Sequence, residues 1–222
     1  MERIVLEFDH VTGISGNFRL QDVHFSLPAG YMMGLVGKNG AGKTTCLRYL
    51  MQEKTCYTGV IRIEGMERLA KGTAFRNHVG FVSADNTFFE ERTGIQNVDL
   101  LGQFYDYFDR KMFLETMEKL QVSSGKSYYK MSQGERMKFQ MAFAMAHHPT
   151  LYLLDEVTAG MDPVFRIDFF KLLHEIIERD EAAVLMTSHI EEEMKKQMDY
   201  IGILEYGKMT YFGENYDELW DV

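Results

Sequence analysis

Toward the N-terminus, apolar side chains fall into short runs separated by turn-forming residues. In Ile4, Leu6 and Phe8 they recur at every second position, the alternation of a half-buried strand. A second strand is predicted over 18–27, ended by the turn-forming cluster Pro28-Ala29-Gly30. Met32-Met33-Gly34-Leu35-Val36 reads as a short buried strand running straight into a glycine-rich loop, with a helix after it over 43–51. Residues 60–63 and 79–82 add further strands. From about 86 to 148 the alternation fades. Helical spacing replaces it in Phe113, Met117 and Leu120, and again in Met137, Met141, Phe143 and Met145. After Pro149 the unbroken apolar run 151–154 suits a central parallel strand buried on both faces. A helix is predicted from Pro163, capped by Asp162, with Phe165, Phe169, Leu172, Leu173 and Ile176 as its inward stripe. Residues 183–186 form another buried strand, and 190–197 a charged helix. Residues 200–205 and 208–212 form a hairpin turned at Tyr206-Gly207. Strand–helix alternation around one loop predicts an α/β nucleotide-binding core.

Composition narrows the class without changing this picture. The chain has 222 residues, 45% hydrophobic and 26% charged, which fits one well-cored soluble domain. Its net charge of −9 argues against a general basic surface, so no nucleic-acid partner is expected. No apolar run approaches the ~20 residues that span a bilayer. The N-terminus alternates like a strand rather than like a secretion signal. Cys46 and Cys56 give neither a disulfide framework nor a metal-ligand pattern. A cytoplasmic protein is expected, reaching a membrane only through another chain.

The loop Gly37-Lys38-Asn39-Gly40-Ala41-Gly42-Lys43-Thr44 fits G-x-x-x-x-G-K-[ST] in full, with the strand before and the helix after that the pattern requires. Its glycines let backbone N–H groups turn inward around an anion, and the helix dipole adds to the attraction. Lys43 is the candidate partner of the β- and γ-phosphates, and Thr44 a candidate Mg²⁺ ligand. The loop implies a nucleotide; it does not name a reaction. Downstream, Leu151-Tyr152-Leu153-Leu154-Asp155-Glu156 ends a buried strand in two carboxylates. Asp155 is placed to hold Mg²⁺ and Glu156 to polarise an attacking water, so the pair suits hydrolysis. The guanine-specificity motif Asn-Lys-x-Asp is absent from the chain, which weighs against a GTPase.

With Met131-Ser132-Gln133-Gly134-Glu135, Thr158-Ala159-Gly160-Met161-Asp162 and His189 added in this order, nearly the whole chain resembles the ATP-binding-cassette (ABC) ATPases. These segments look like that family's signature, D-loop and switch histidine. The resemblance implies a phosphate-loop fold of ABC ATPase type: a mixed β-sheet core with an antiparallel β subdomain and a helical insertion. It implies a single domain, with core 1–85 and 149–222 and a helical subdomain over about 86–148. ATP would be bound by residues 37–44 with Thr45, and buried against a second ABC ATPase subunit, a copy or a different cassette. Ser132, Gln133, Gly134 and Glu135 would face the ATP held by that partner. Glu156 and His189 would be catalytic, Thr44 and Asp155 would hold Mg²⁺, and Asp162 would belong to the D-loop.

The chain departs from the family pattern at several points. Gln133 and Glu135 replace a glycine and a glutamine of the signature, and Val157 the usual proline. Ala84 stands where the family has a glutamine or glutamate, with Asp85 or Asn86 as possible substitutes. The adenine-stacking aromatic aligns near Ile14 or Phe18, and Phe18 reads equally as a base-stacking ring or a strand core residue. The acidic run Glu191-Glu192-Glu193 reads as a solvated helix face, and the methionines as core packing.

The function implied by likeness is the cytoplasmic ATPase subunit of a membrane transporter, held at the inner face of the cell membrane by an integral membrane subunit. That subunit would dock over 86–95, including Phe88, Phe89 and Arg92. The chain looks most like the drug, lantibiotic and peptide exporter branch. The alternative is a soluble ABC ATPase without a channel, such as the iron–sulfur assembly type.

Overall fold

The computed structural model describes residues 2–51, 56–68, 72–85, 88–159 and 161–220. Strands β1 (Ile4–Ser15), β2 (Phe18–Pro28) and β3 (Met32–Val36) precede helix α1 (Lys43–Met51), followed by β4 (Tyr57–Ile63), β5 (Met66–Glu67) and β6 (Val79–Ser83). Helices α2 (Gly94–Leu101), α3 (Arg110–Lys119) and α4 (Gln133–Met145) come next. The chain then runs through β7 (Leu151–Asp155), α5 (Pro163–Asp180), β8 (Ala183–Thr187), α6 (Glu191–Gln197), β9 (Tyr200–Glu205) and β10 (Lys208–Glu214).

The strands join one mixed sheet in the order β5-β4-β1-β2-β10-β9-β3-β8-β7-β6. The run β9-β3-β8-β7-β6 is parallel, whereas β5, β4, β1 and β2 pair antiparallel. The parallel strands read as continuous apolar runs because both of their faces are covered. Leu151 and Leu153 of β7 pack with Cys46, Leu47 and Leu50 of α1. Tyr152 and Leu154 face the other way, onto Met137 and Met141 of α4 and Phe169 and Leu173 of α5. The expected helix α1 and strand β3 coincide with the observed ones, and Asp162 caps α5 by accepting from the Phe165 N–H at 2.9 Å.

The first strand corrects the simple alternation. Leu6 and Phe8 are buried as expected, but Ile4 is exposed and Val5 takes the interior. A register shift between Ile4 and Leu6 on β2 explains this, since an irregular residue sends its neighbours to the opposite faces.

Helices α2–α4 have a core of their own, built from Val98, Phe113, Met117, Tyr128, Phe139 and Phe143. Helix α4 serves two cores at once. Its Met137, Met141 and Met145 face the sheet, while Phe139 and Phe143 face α3. At the far end, Tyr206 and Gly207 both have positive φ (47° and 83°), as a tight two-residue hairpin turn requires. The Gly207 N–H donates to the Ala41 carbonyl at 3.0 Å, so this hairpin props the glycine-rich loop.

Candidate functional site

The loop between β3 and α1 is held by sterics before any ligand is considered. Gly42 has φ 115°, and a Cβ there would meet the Phe18 ring at 2.8 Å. Only glycine lets β2 and the loop approach this closely. Phe18 therefore packs against the loop and also lines the cleft that it forms with Asn39, Gly40, Gly42, Lys43, Thr44, Thr45, Glu156 and His189. Ile14, the other candidate for adenine stacking, is 65% exposed and is not among the cleft's lining residues. Gly37, Lys38 and Ala41 complete the turn behind this surface. The Lys43 ammonium donates to the Gly37 carbonyl at 2.6 Å and approaches that of Lys38 at 3.4 Å. Burial lowers the pKa of Lys43, and the carboxylates of Glu156 and Asp155 oppose that shift.

Those carboxylates stand at the end of β7. Asp155 pairs in register with Thr187 of β8, whose hydroxyl donates to Asp155 Oδ1 at 2.6 Å. Burial raises the Asp155 pKa, and repulsion from Glu156 and Asp85 adds to the rise. Hydrogen bonds from Thr187 and Thr44 pull it back. The Glu156 N–H donates to both the carbonyl and the hydroxyl of Thr187, each at 3.1 Å. Its backbone is left-handed, φ 53°, which costs a residue with a Cβ roughly 1–2 kcal/mol. The carboxylate reaches His189, with Oε1 and Nε2 2.7 Å apart. Val157 is buried in the core cluster below the pair, doing a packing job at the position where the family has proline.

Ser132 is the N-cap of α4. Its hydroxyl accepts from the Glu135 N–H at 3.3 Å, and Glu135 Oε2 accepts from the Ser132 N–H at 2.8 Å, a complete capping box. Lys126 donates to the same carboxylate at 2.7 Å; this hydrogen bond and the one from Ser132 hold Glu135 below the usual carboxylate range. Glu135 is thus occupied within its own chain. Ser132 and Gln133 are exposed, and the Gln133 amide lies 3.4 Å from the Ala159 carbonyl. Residues 132–135 are not among those lining the cleft at Lys43, nor is Asp162.

Ala84 is exposed just beyond β6, whose Ser83 pairs in register with Asp155. Asn86 and Gly160 lie outside the described residues. Of the expected docking residues, Phe89 and Arg92 are exposed, whereas Phe88 turns inward against Phe139, Phe143 and Tyr128. Asn97, unremarked in the sequence, fixes this loop: its side chain accepts from the Phe89 N–H at 2.8 Å and donates to the Phe89 and Thr93 carbonyls. Thr187 ends the strand just before Ser188-His189, and the structure adds its bond to Asp155. The solvated reading of the acidic run is corrected at Glu193, which is buried while Glu191 and Glu192 are exposed. Successive residues turn about 100° around a helix, so the third acid of a run need not share the face of the first. Among the described residues, no helix is long and apolar enough to cross a membrane.

A model of the ABC transporter family matches residues 20–159. The ABC transporter ATP-binding protein YtrB of Bacillus subtilis (strain 168) is 34% identical over 198 residues, covering 89% of this chain and 67% of YtrB. The bacitracin transport ATP-binding protein BcrA of Bacillus licheniformis is 26% identical over 208 residues, covering 92% of this chain and 68% of BcrA. Among solved structures, an ATP-binding cassette in a dimeric post-hydrolysis state bound to ADP and Pi superposes with a TM-score of 0.83. That structure is 21% identical and covers 96% of this chain and 99% of its own. The likeness extends over the whole fold, the mixed sheet included.

Proposed function

The chain belongs to the ABC transporter family, and we propose that it binds ATP with Mg²⁺ at residues 37–44 and hydrolyses it between two subunits to drive an exporter. The observation that carries this reading is the Glu156–His189 pair, 2.7 Å apart, opening on the cleft that holds Lys43 and Thr44. Loop N–H groups and the start of α1 receive the phosphates, Lys43 neutralises their charge, Thr45 adds a hydroxyl and Phe18 stacks on the base. The Thr44 hydroxyl and the Asp155 carboxylate are hard oxygen donors already in hydrogen-bond contact, beside two further carboxylates that raise the Asp155 pKa. This oxygen-rich, anionic corner fits Mg²⁺, which when bound would offset phosphate charge. Glu156 takes a proton from the attacking water as its oxygen bonds the γ-phosphorus and the bond to the ADP oxygen breaks. His189 orients that carboxylate and contacts the γ-phosphate.

The signature acts on a partner subunit's nucleotide. Its Ser132 and Gln133 are exposed, it begins a helix, and none of its residues lines this chain's own phosphate cleft. A membrane subunit seats on the loop held by Asn97, where Phe89 and Arg92 are exposed, and keeps this chain at the cytoplasmic face of the membrane. The names of YtrB and BcrA support a transport role, and that of BcrA points to bacitracin or a similar compound as the cargo. The solved dimer supports pairing of cassettes.

Glu156→Gln is the test. It is expected to retain ATP affinity, lose hydrolysis by at least about 100-fold, and elute as a dimer with ATP. Hydrolysis at the parent rate would remove Glu156 from the role of base. The tagged chain should also co-purify with a polypeptide of several membrane spans. Recovery only in soluble complexes would refute the transporter role.

A further inference from the structure

Behind the Glu156–His189 pair lies a buried charge that the phosphate site does not touch. Glu193 on α6 is 7% exposed. Its Oε2 accepts from the Thr158 hydroxyl at 2.7 Å and from the Ser188 hydroxyl at 3.2 Å. Its Oε1 lies 3.0 Å from Nε of Arg166 on α5. Arg166 in turn donates to the Met161 carbonyl at 3.3 Å. Thr158 and Ser188 are themselves buried.

These partners are not scattered. Thr158 is two residues beyond Glu156, Ser188 immediately precedes His189, and Met161 immediately precedes Asp162 at the head of α5. One carboxylate therefore ties together the segment after Glu156, the segment before His189 and, through Arg166, the loop that resembles the D-loop. Stability does not account for such an arrangement. Glu193 is buried and Arg166 partly exposed, and such an ion pair is commonly neutral or costly beside apolar residues of the same volume, so we read its use as fixing one geometry. Two short polar side chains and a carboxylate, all three buried, have few alternative partners, and each bond is costly to leave unmade.

We propose that Glu193 is a positioning residue that sets the Glu156–His189 contact by tethering Thr158 to Ser188, and that Arg166 couples this tether to Met161, beside Asp162. The inference rests on the reading of Glu156 and His189 as the hydrolytic pair. A shift at Met161 then reaches His189 through Arg166, Glu193 and Ser188. Misplacement of a reacting pair by about 1 Å can cost on the order of 100-fold in rate, so a small slip in the tether is enough to be read.

The experiment compares Glu193→Gln, Thr158→Val and Thr158→Ser with the parent full-length protein and with Glu156→Gln. Steady-state ATPase, nucleotide affinity by equilibrium titration and melting temperature are measured for each. Glu193→Gln and Thr158→Val are expected to lower kcat about tenfold with nucleotide Kd changed less than about twofold. Thr158→Ser keeps the hydroxyl and should retain kcat near the parent value. The tether is overturned if both Glu193→Gln and Thr158→Val keep the parent kcat, or if kcat and affinity fall together in proportion to lost folded protein. Should Glu193→Gln not fold, the Val and Ser variants at 158 decide alone, since Val replaces the Thr158 hydroxyl with a methyl while Ser keeps the hydroxyl and gives up the methyl. A fully active Glu193→Gln beside an inactive Glu156→Gln sinks only the tether. An active Glu156→Gln sinks the reading beneath it.

Discussion

Acid should weaken this fold through one histidine in particular. His147 directly follows the C-cap of α4 and is 6% exposed. Its ring stacks on Tyr105 at 4.1 Å and meets the Phe143 ring edge-on. Burial pushes its pKa from the ordinary 6.5 down to about 4, against the opposing effect of a backbone hydrogen bond at Asn77. A depressed folded-state pKa means that the unfolded chain binds the proton first. Stability is therefore present above 6.5 and is lost as the pH falls from there toward 4. At about 1.4 kcal/mol per pH unit the whole effect is about 3 kcal/mol, of which about 2 kcal/mol falls between pH 7 and pH 5.

Urea unfolding at those two pH values measures it, with His147→Phe as the reference. Phenylalanine keeps an aromatic ring against Tyr105 and cannot titrate. Losses from other groups are common to both proteins and cancel in the difference. The parent should lose about 2 kcal/mol more than the variant, with little change in the m-value. Equal losses in parent and variant would refute the linkage. A larger loss in the variant would reverse its sign.

Three further outcomes are expected. Gly134→Ala should not lower the melting temperature, because nothing beyond its own turn of helix lies within 4 Å of the new Cβ and the backbone is ordinary; on the proposed reading its ATPase falls about tenfold, and parent activity would mean that the signature contacts no nucleotide. Cys46 is fully buried with its thiol pushed up to about 12, while Cys56 is exposed, so a thiol reagent should label one cysteine in the native protein and both in urea. Labelling of both under native conditions counts against the burial. Asp162→Ala should cost about 1 kcal/mol in urea unfolding through loss of the α5 cap, and Asp162→Asn much less; equal losses would deny the capping role.

Legibility in the sequence followed how local the deciding physics is. Strand β3 and helix α1 needed no correction, because the loop motif fixes the end of one and the start of the other. The start of α5 was equally plain, since a cap followed by proline is a local signal. Helix α2 was not resolved as a separate element. Its capping box, Thr93 with Gln96, has the right spacing in the sequence, but eight residues hold too few turns for a clear stripe. Strand β5 is only two residues and has no period to detect. The Glu156–His189 contact joins residues far apart in the chain through the pairing of β7 with β8, which no local pattern encodes. Glu193 failed for a related reason. A run of three acids says how much charge a helix carries, while packing on α5 decides which member is buried.

The same distinction separates two glycines and says where the site ends. Gly42 is needed by this chain itself, since its φ and the Phe18 ring exclude a side chain. Gly134 is not, for its backbone is ordinary and the space around it is open. A glycine without an internal reason is explained by something that approaches from outside. The first turn of α4 fits that account. The capping box occupies the N–H groups of Ser132 and Glu135, while those of Gln133 and Gly134, at positions with no acceptor inside a helix, remain for another group. An anion is the natural occupant of such a helix start. The phosphate cleft of this chain lies elsewhere, so on the proposed reading the anion belongs to a nucleotide held by a second subunit. The intrachain bonds of Glu135 then acquire a purpose. They hold the cap in one geometry, which a glutamine at 135, without a charge for Lys126, would do less firmly.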